Sequence, residues 1–106
     1  MRHMKEAVQN RVDYEERAAL LKVLANPVRL RLVHSLLTRG CHNVSCMERE
    51  IGMSQSCVSQ HLQKLRLAGV VSADRLGNEV YYRVTSPEVA KLAAALFGEE
   101  EDDYAL

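Results

Sequence analysis

Apolar residues recur at three- and four-residue spacing in five stretches of the chain and alternate in a sixth. Between Lys5 and Ala25, a stripe of Leu20, Leu21, Val23 and Leu24 predicts helix, either continuous or restarting at Asp13, which stands three residues before Glu16 in capping-box spacing. Asn26-Pro27 opens a second helix, with Asn as N-cap and Pro at the first helical position. Its core face is Leu30, Val33, Leu36 and Leu37. Ser45 to Gly52 predicts a helix of one to two turns, capped by Ser45 with Glu48 three residues on and ended by Gly52. Ser54 caps the next helix, and Ala68-Gly69 closes it. The period then drops to two. Val70–Arg75 and Val80–Val84 read as strands around a tip at Leu76-Gly77-Asn78-Glu79, where Gly and Asn tolerate positive φ. Ser86-Pro87 repeats the cap-then-proline start. Val89, Leu92, Ala93, Leu96 and Phe97 line one face of a last helix that Gly98 terminates. Its small Ala93, Ala94 and Ala95 allow another helix to approach closely.

The helix after Ser54 has two faces of opposite character. Counting about 100° per residue from Gln55, Val58, His61, Leu62 and Leu65 fall in an arc of about 240° to 340°. Gln55, Ser56, Ser59, Gln60 and Gln63 fall in an arc of about 0° to 140°. One side is made for a core. The other is a row of uncharged amides and hydroxyls where a solvated face more often carries Glu and Lys. Such groups both donate and accept hydrogen bonds, which suits base edges and phosphates in a major groove. A short helix, a Gly-containing turn and this second helix make a helix-turn-helix. The hairpin that follows is a wing.

In these residues the chain resembles the ArsR/SmtB winged helix-turn-helix repressors. The likeness is carried by Leu24-Ala25-Asn26-Pro27-Val28-Arg29-Leu30-Arg31-Leu32, then Met53-Ser54-Gln55-Ser56-Cys57-Val58-Ser59-Gln60-His61-Leu62. Leu67-Ala68-Gly69-Val70-Val71 and Val80-Tyr81-Tyr82 complete it, in the right order, over about residues 20–96. The resemblance implies a mainly α (α+β) fold of about five helices with a two-stranded wing. It also implies a homodimer built by the first and last helical segments, about residues 5–25 and 87–97, with the helix-turn-helix at about 45–67 and the wing at about 70–84. Such a dimer represses by occupying a palindromic operator in double-stranded DNA. Gln55, Ser56, Ser59, Gln60 and Gln63 are the candidates for base and phosphate contacts, with Lys64, Arg75 and Arg83 on phosphates. Tyr81 and Tyr82, being adjacent in a strand, point to opposite faces.

Composition fits one domain: 106 residues, 47% apolar. No run of about eighteen apolar residues and no signal-peptide layout is present, so no membrane role is expected. Three cysteines, an odd number without zinc-finger spacing, argue for the cytoplasm over a secreted disulfide framework. The net charge of zero conceals an uneven distribution. Residues 28–83 hold eight basic against four acidic side chains, a net of +4, and residues 84–106 hold one against six, a net of −5. The part expected on DNA is basic, and the acidic tail, 99–106, balances it.

The candidate regulatory chemistry lies just before the helix-turn-helix, in Arg39-Gly40-Cys41-His42-Asn43-Val44-Ser45-Cys46. Cys46 is expected at the first position of a helix, where backbone N–H groups favour a thiolate. Two thiols five residues apart suit a dithiol switch responding to oxidants or reactive sulfur. The other reading is a thiophilic ion such as zinc, cadmium or arsenite held by Cys41, His42 and Cys46; a third gives the cysteines no regulatory role. The family's known metal motifs are missing. Asn43 and Ser45 occupy the places of its Cys-x-Cys pair, and no His follows His61 for its Asp-x-His pair. No metal site and no cofactor are therefore assigned. Cys57 is expected as a small packing residue, His61 as a packed, hydrogen-bonded histidine, and Arg29 and Arg31 as structural or solvated. No catalytic residue is assigned: only Cys41, Cys46 and His42 offer nucleophile and base, and no orienting acid accompanies them. A winged helix that binds protein instead of DNA is the remaining class.

Overall fold

The computed structural model describes residues 12–38 and 42–98. Within them the order is α1 (Tyr14–Leu24), α2 (Pro27–Leu37), α3 (Val44–Ile51), α4 (Gln55–Leu67), β1 (Val71–Leu76), β2 (Glu79–Val84) and α5 (Pro87–Phe97). This is the mainly α architecture with a hairpin wing. None of the described helices is long and apolar enough to cross a membrane.

Local chemistry starts most of these elements where the chain predicts. Asp13 Oδ1 accepts the Glu16 N–H at 3.0 Å, so a helix begins there; the proposed extension back to Lys5 lies largely outside the described residues. Asn26 Oδ1 accepts two N–H groups, from Val28 at 2.9 Å and Arg29 at 3.1 Å, with Pro27 in the first turn. Ser54 caps α4 and Ser86 caps α5. Gly52 ends α3 at φ +78°, a left-handed conformation that side-chain-bearing residues adopt at a cost. That conformation turns the chain sharply enough for α4 to begin three residues later.

One cap is misplaced by the sequence reading. Asn43, not Ser45, is the N-cap of α3, its Oδ1 accepting the Cys46 N–H at 2.8 Å. The Ser45–Glu48 capping box therefore does not form, and Cys46 sits at the third helical position instead of the first. Asn is as good a cap as Ser, and the extended backbone of Asn43 (φ −115°, ψ 163°) serves a second purpose described below.

The core lies where α2, α4, the base of the hairpin and α5 converge. Leu32, Val33 and Leu36 from α2 meet Met47 of α3, Val58, Leu62 and Leu65 of α4, Val70 and Val71 beside the wing, and Val89 and Ala93 of α5. Two expectations on α2 shift. Leu32 is fully buried, whereas Leu37 is 36% exposed at the helix end. Because α2 has neighbours on several sides, its buried arc is wider than one stripe and is centred on Leu32–Leu36. Ser35, also buried, donates to Glu50 Oε1 at 2.9 Å and Arg31 donates to the Glu50 carbonyl at 3.1 Å, fastening α3 to α2. The hairpin turns through two residues, Gly77-Asn78, with Leu76 paired to Glu79. Each strand thus reaches one residue further into the tip than the sequence reading placed it.

Candidate nucleic-acid interface

Helix α4 shows the two faces that its residue order implies. Val58, Leu62 and Leu65 have 0% exposure and anchor it. Gln55, Ser56, Gln60, Gln63 and Lys64 are exposed and Ser59 is half-buried. The candidate reading residues therefore form one solvent-facing row, backed by a rigid apolar floor. Cys57 is exposed and free, not packed. Its position between the two arcs falls on the solvent side because none of the described elements covers that flank.

His61 is half-buried and receives a hydrogen bond from outside its own helix. Arg29 Nε donates to His61 Nδ1 at 3.2 Å, while the same guanidinium donates from Nη1 to the Val23 carbonyl at 3.0 Å. Arg29 is thus structural, joining α1, α2 and α4. Burial lowers the pKa of His61 from 6.5, and the positive charges of Arg29 and Lys64 lower it further. Desolvation and like charge both disfavour the imidazolium.

In the wing, Arg75 and Arg83 are exposed, Arg75 beside the tip opposite Val80 and Arg83 near the base opposite Ser72. Arg83 Nη1 lies 2.8 Å from Asp74 Oδ2 on the neighbouring strand. Arg83 is held by a carboxylate, then, while among the described residues none pairs with the Arg75 side chain. Tyr82 packs against the core, and Tyr81, adjacent in β2, faces the other side of the strand.

The segment preceding α3 is tied to this wing. The His42 carbonyl accepts the Tyr82 N–H at 2.8 Å, and Asn43 forms an antiparallel bridge with Tyr81. Asn43 therefore joins the wing through its backbone and caps α3 through its side chain. Sequence reasoning missed this pairing, as it missed the Arg29–His61 bond. Two residues are too few to show an alternating pattern, and only the asparagine hints at a dual role. Cys46 is half-buried and disulfide-bonded. Cys41 lies outside the described residues. Among the described residues, no three His, Cys, Asp or Glu side chains gather as a metal site requires.

Comparison with known proteins agrees with this geometry. Residues 26–73 match the model of the bacterial regulatory protein arsR family. The chain is 41% identical over 91 residues to the biofilm growth-associated repressor of Xylella fastidiosa, covering 82% of this chain and 79% of that one. Among solved structures, reduced HlyU from Vibrio cholerae superposes with a TM-score of 0.72 at 28% identity, covering 91% of this chain and 94% of the other. A homodimeric winged helix-turn-helix DNA-binding domain from Mycobacterium bovis gives 0.71 at 34% identity, covering 78% and 76%. A wing, a helix-turn-helix with an amide-lined face, and these relationships together place the chain in the ArsR family, as a DNA-binding transcriptional repressor and not an enzyme.

Proposed function

We propose that the protein acts in the cytoplasm as a homodimer on a palindromic operator, and that oxidation or reactive sulfur at Cys41 and Cys46 releases it. The observation that carries the DNA half of this reading is the exposed row Gln55, Ser56, Ser59, Gln60 and Gln63, opposite a fully buried Val58, Leu62 and Leu65. Glutamine reads adenine through two hydrogen bonds in the major groove. Lys64, Arg75 and Arg83 approach phosphates on either side. Two copies of α4, related by a two-fold axis, enter successive major grooves.

The regulatory half rests on connectivity. Cys46 is disulfide-bonded; the second thiol of the proposed switch is Cys41, five residues earlier in the sequence. Forming that bond removes two protons and two electrons from the thiols, and the electrons reduce a peroxide to water or a polysulfide to smaller sulfides. The segment it closes runs through His42 and Asn43, which hold β2 and the first turn of α3. A bond formed there acts on the wing and the helix-turn-helix together, two elements that must fit DNA at once. Coupling of this kind is typically about 1–3 kcal/mol, or about 5- to 150-fold in affinity.

The test is a titration of the protein on a duplex from its own promoter region, with reduced protein, polysulfide- or diamide-treated protein, and protein given zinc, cadmium or arsenite. Weaker binding after thiol oxidation only, lost in Cys46→Ser, is expected. Weaker binding with an ion only would replace the dithiol reading by a metal-responsive one at Cys41, His42 and Cys46. Equal binding throughout would leave a repressor without a thiol switch.

A further inference from the structure

From its place in α2, the Arg29 side chain donates hydrogen bonds both to the end of α1 and to the middle of α4. Its guanidinium has only donors, so the His61 Nδ1 that receives one must carry a lone pair. The bond therefore exists only with a neutral imidazole. An imidazolium bears N–H groups on both nitrogens, which would set donor against donor and one positive charge against another. His61 also lies between Gln60 on the reading face and Leu62 in the core. A shift at this residue moves both faces of α4.

We propose that Arg29 and His61 form a proton-gated brace that holds α4 in its DNA-reading pose, so that protonating His61 weakens operator binding. This goes beyond the thiol chemistry but rests on the reading of α4 as the DNA-contacting helix. The charged groups acting on His61 are Arg29 from α2 and Lys64 from α4 itself, both positive. From α1 the contact is the Val23 carbonyl, reached through Arg29. α3 and β1 also pack on α4, and no charged side chain from either, among the described residues, acts on the imidazole. Among the described residues, no carboxylate is therefore at hand to compensate an added proton.

The sign follows from linkage. A histidine that is harder to protonate in the folded state leaves that state intact above pH 6.5 and costs stability as the pH falls below it. If the DNA-bound pose requires the brace, bound protein takes up fewer protons than free protein, and affinity falls with pH over the same window. A difference of half to one pKa unit between free and bound states corresponds to about three- to tenfold.

The experiment measures affinity for a duplex from the protein's own promoter region between pH 7.5 and pH 5.5, for wild type and for His61→Asn. Each protein is referred to its own value at pH 7.5. Asparagine places a non-titrating acceptor, Oδ1, near the position of Nδ1. Wild type is expected to lose about three- to tenfold more affinity than the variant across this range. Parallel profiles overturn the proposal. An NMR titration of the imidazole signals in DNA-free protein tests the brace itself and does not depend on His61→Asn folding. The His61 midpoint is expected to rise in Arg29→Met; an unmoved midpoint also overturns the proposal. Absence of wild-type binding at pH 7.5 overturns the DNA-reading role of α4 and this inference with it, whereas binding with parallel profiles overturns this inference alone.

Discussion

The two ends of the molecule use the same residue types to different effect. Around α4 every inward leucine and valine is covered: Val58, Leu62 and Leu65 have no exposure at all. Along α1 and α5 the apolar faces are only half covered. Val89 and Ala93 are buried, yet Leu96 is 59% exposed on the same helix and Leu21 is 53% exposed on α1. A groove of about 650 Å³ runs between these helices, lined by Leu20, Leu21, Val89 and Leu92. Isolated exposed leucines are ordinary, but Leu21 borders a groove whose walls also carry the half-buried Leu20 and Leu92, an apolar patch of the kind that marks an interaction face. One end of the chain completes its own core, and the other leaves apolar surface that a second copy would cover in the proposed homodimer.

That contrast is tested most severely at its closed end. Replacing Leu62 by Ala removes a fully buried side chain beneath the reading row. A loss of about 2–5 kcal/mol in unfolding free energy is expected. Denaturant titration at fixed protein concentration measures it. A loss near zero would mean that the floor of α4 is not the packed surface described above. At the open end, Leu96→Glu places a charge on the apolar face of α5. Burying one leucine is worth about 1.5–3 kcal/mol, so the dimer is expected to dissociate at least about tenfold more readily. Sedimentation velocity across a concentration series reads that change, and an unshifted monomer–dimer equilibrium would place the dimer contact elsewhere.

A third substitution separates reading from folding within α4 itself. Gln60 is exposed on the helix whose opposite face is buried. Gln60→Ala should leave the unfolding transition where it is. Operator affinity should weaken by about 1–3 kcal/mol, the worth of a bidentate base contact. Weakening that is equal on operator and on unrelated DNA would move Gln60 from base edge to backbone contact.

How much of this was legible in the chain depends on how local the physics is. Asn26-Pro27, Ser54 and Ser86-Pro87 start helices because a cap bonds to N–H groups two or three residues away, and such signals lie side by side in the sequence. The burial of Val58, Leu62 and Leu65 follows from periodicity alone. Asn43 was harder. It competes with Ser45 as a cap, and what decides between them is a bridge to Tyr81, nearly forty positions away. The Arg29–His61 bond spans 32 residues and leaves no local pattern. Cys57 and Leu37 turned outward for a related reason: a helical wheel gives an angle but not the neighbour that covers it. The two faces of α4 and the wing were legible in the residue pattern and the family likeness, whereas the links among α1, α2, α4 and β2 needed coordinates.

The smallest expected effect concerns the wing, where the comparison between held and free side chains is sharpest. Arg75 and Arg83 are equally plausible phosphate ligands by sequence, but Arg83 is paired with Asp74 at 2.8 Å. Both members are well exposed, at 61% and 59%. An exposed pair of this kind contributes about 0–1 kcal/mol to stability, because water screens the attraction and two flexible side chains must be ordered. Asp74→Asn should therefore barely move the unfolding midpoint. Its effect on DNA binding should be in the opposite direction to that of a lost contact. Removing the carboxylate frees the guanidinium for phosphate and deletes a negative charge from the surface that faces it. Affinity should rise modestly, and the plot of log affinity against log salt should steepen by up to about one unit if Arg83 gains a phosphate contact. An unchanged slope would mean that Arg83 stays away from the backbone even when released, leaving Arg75 as the wing's phosphate ligand.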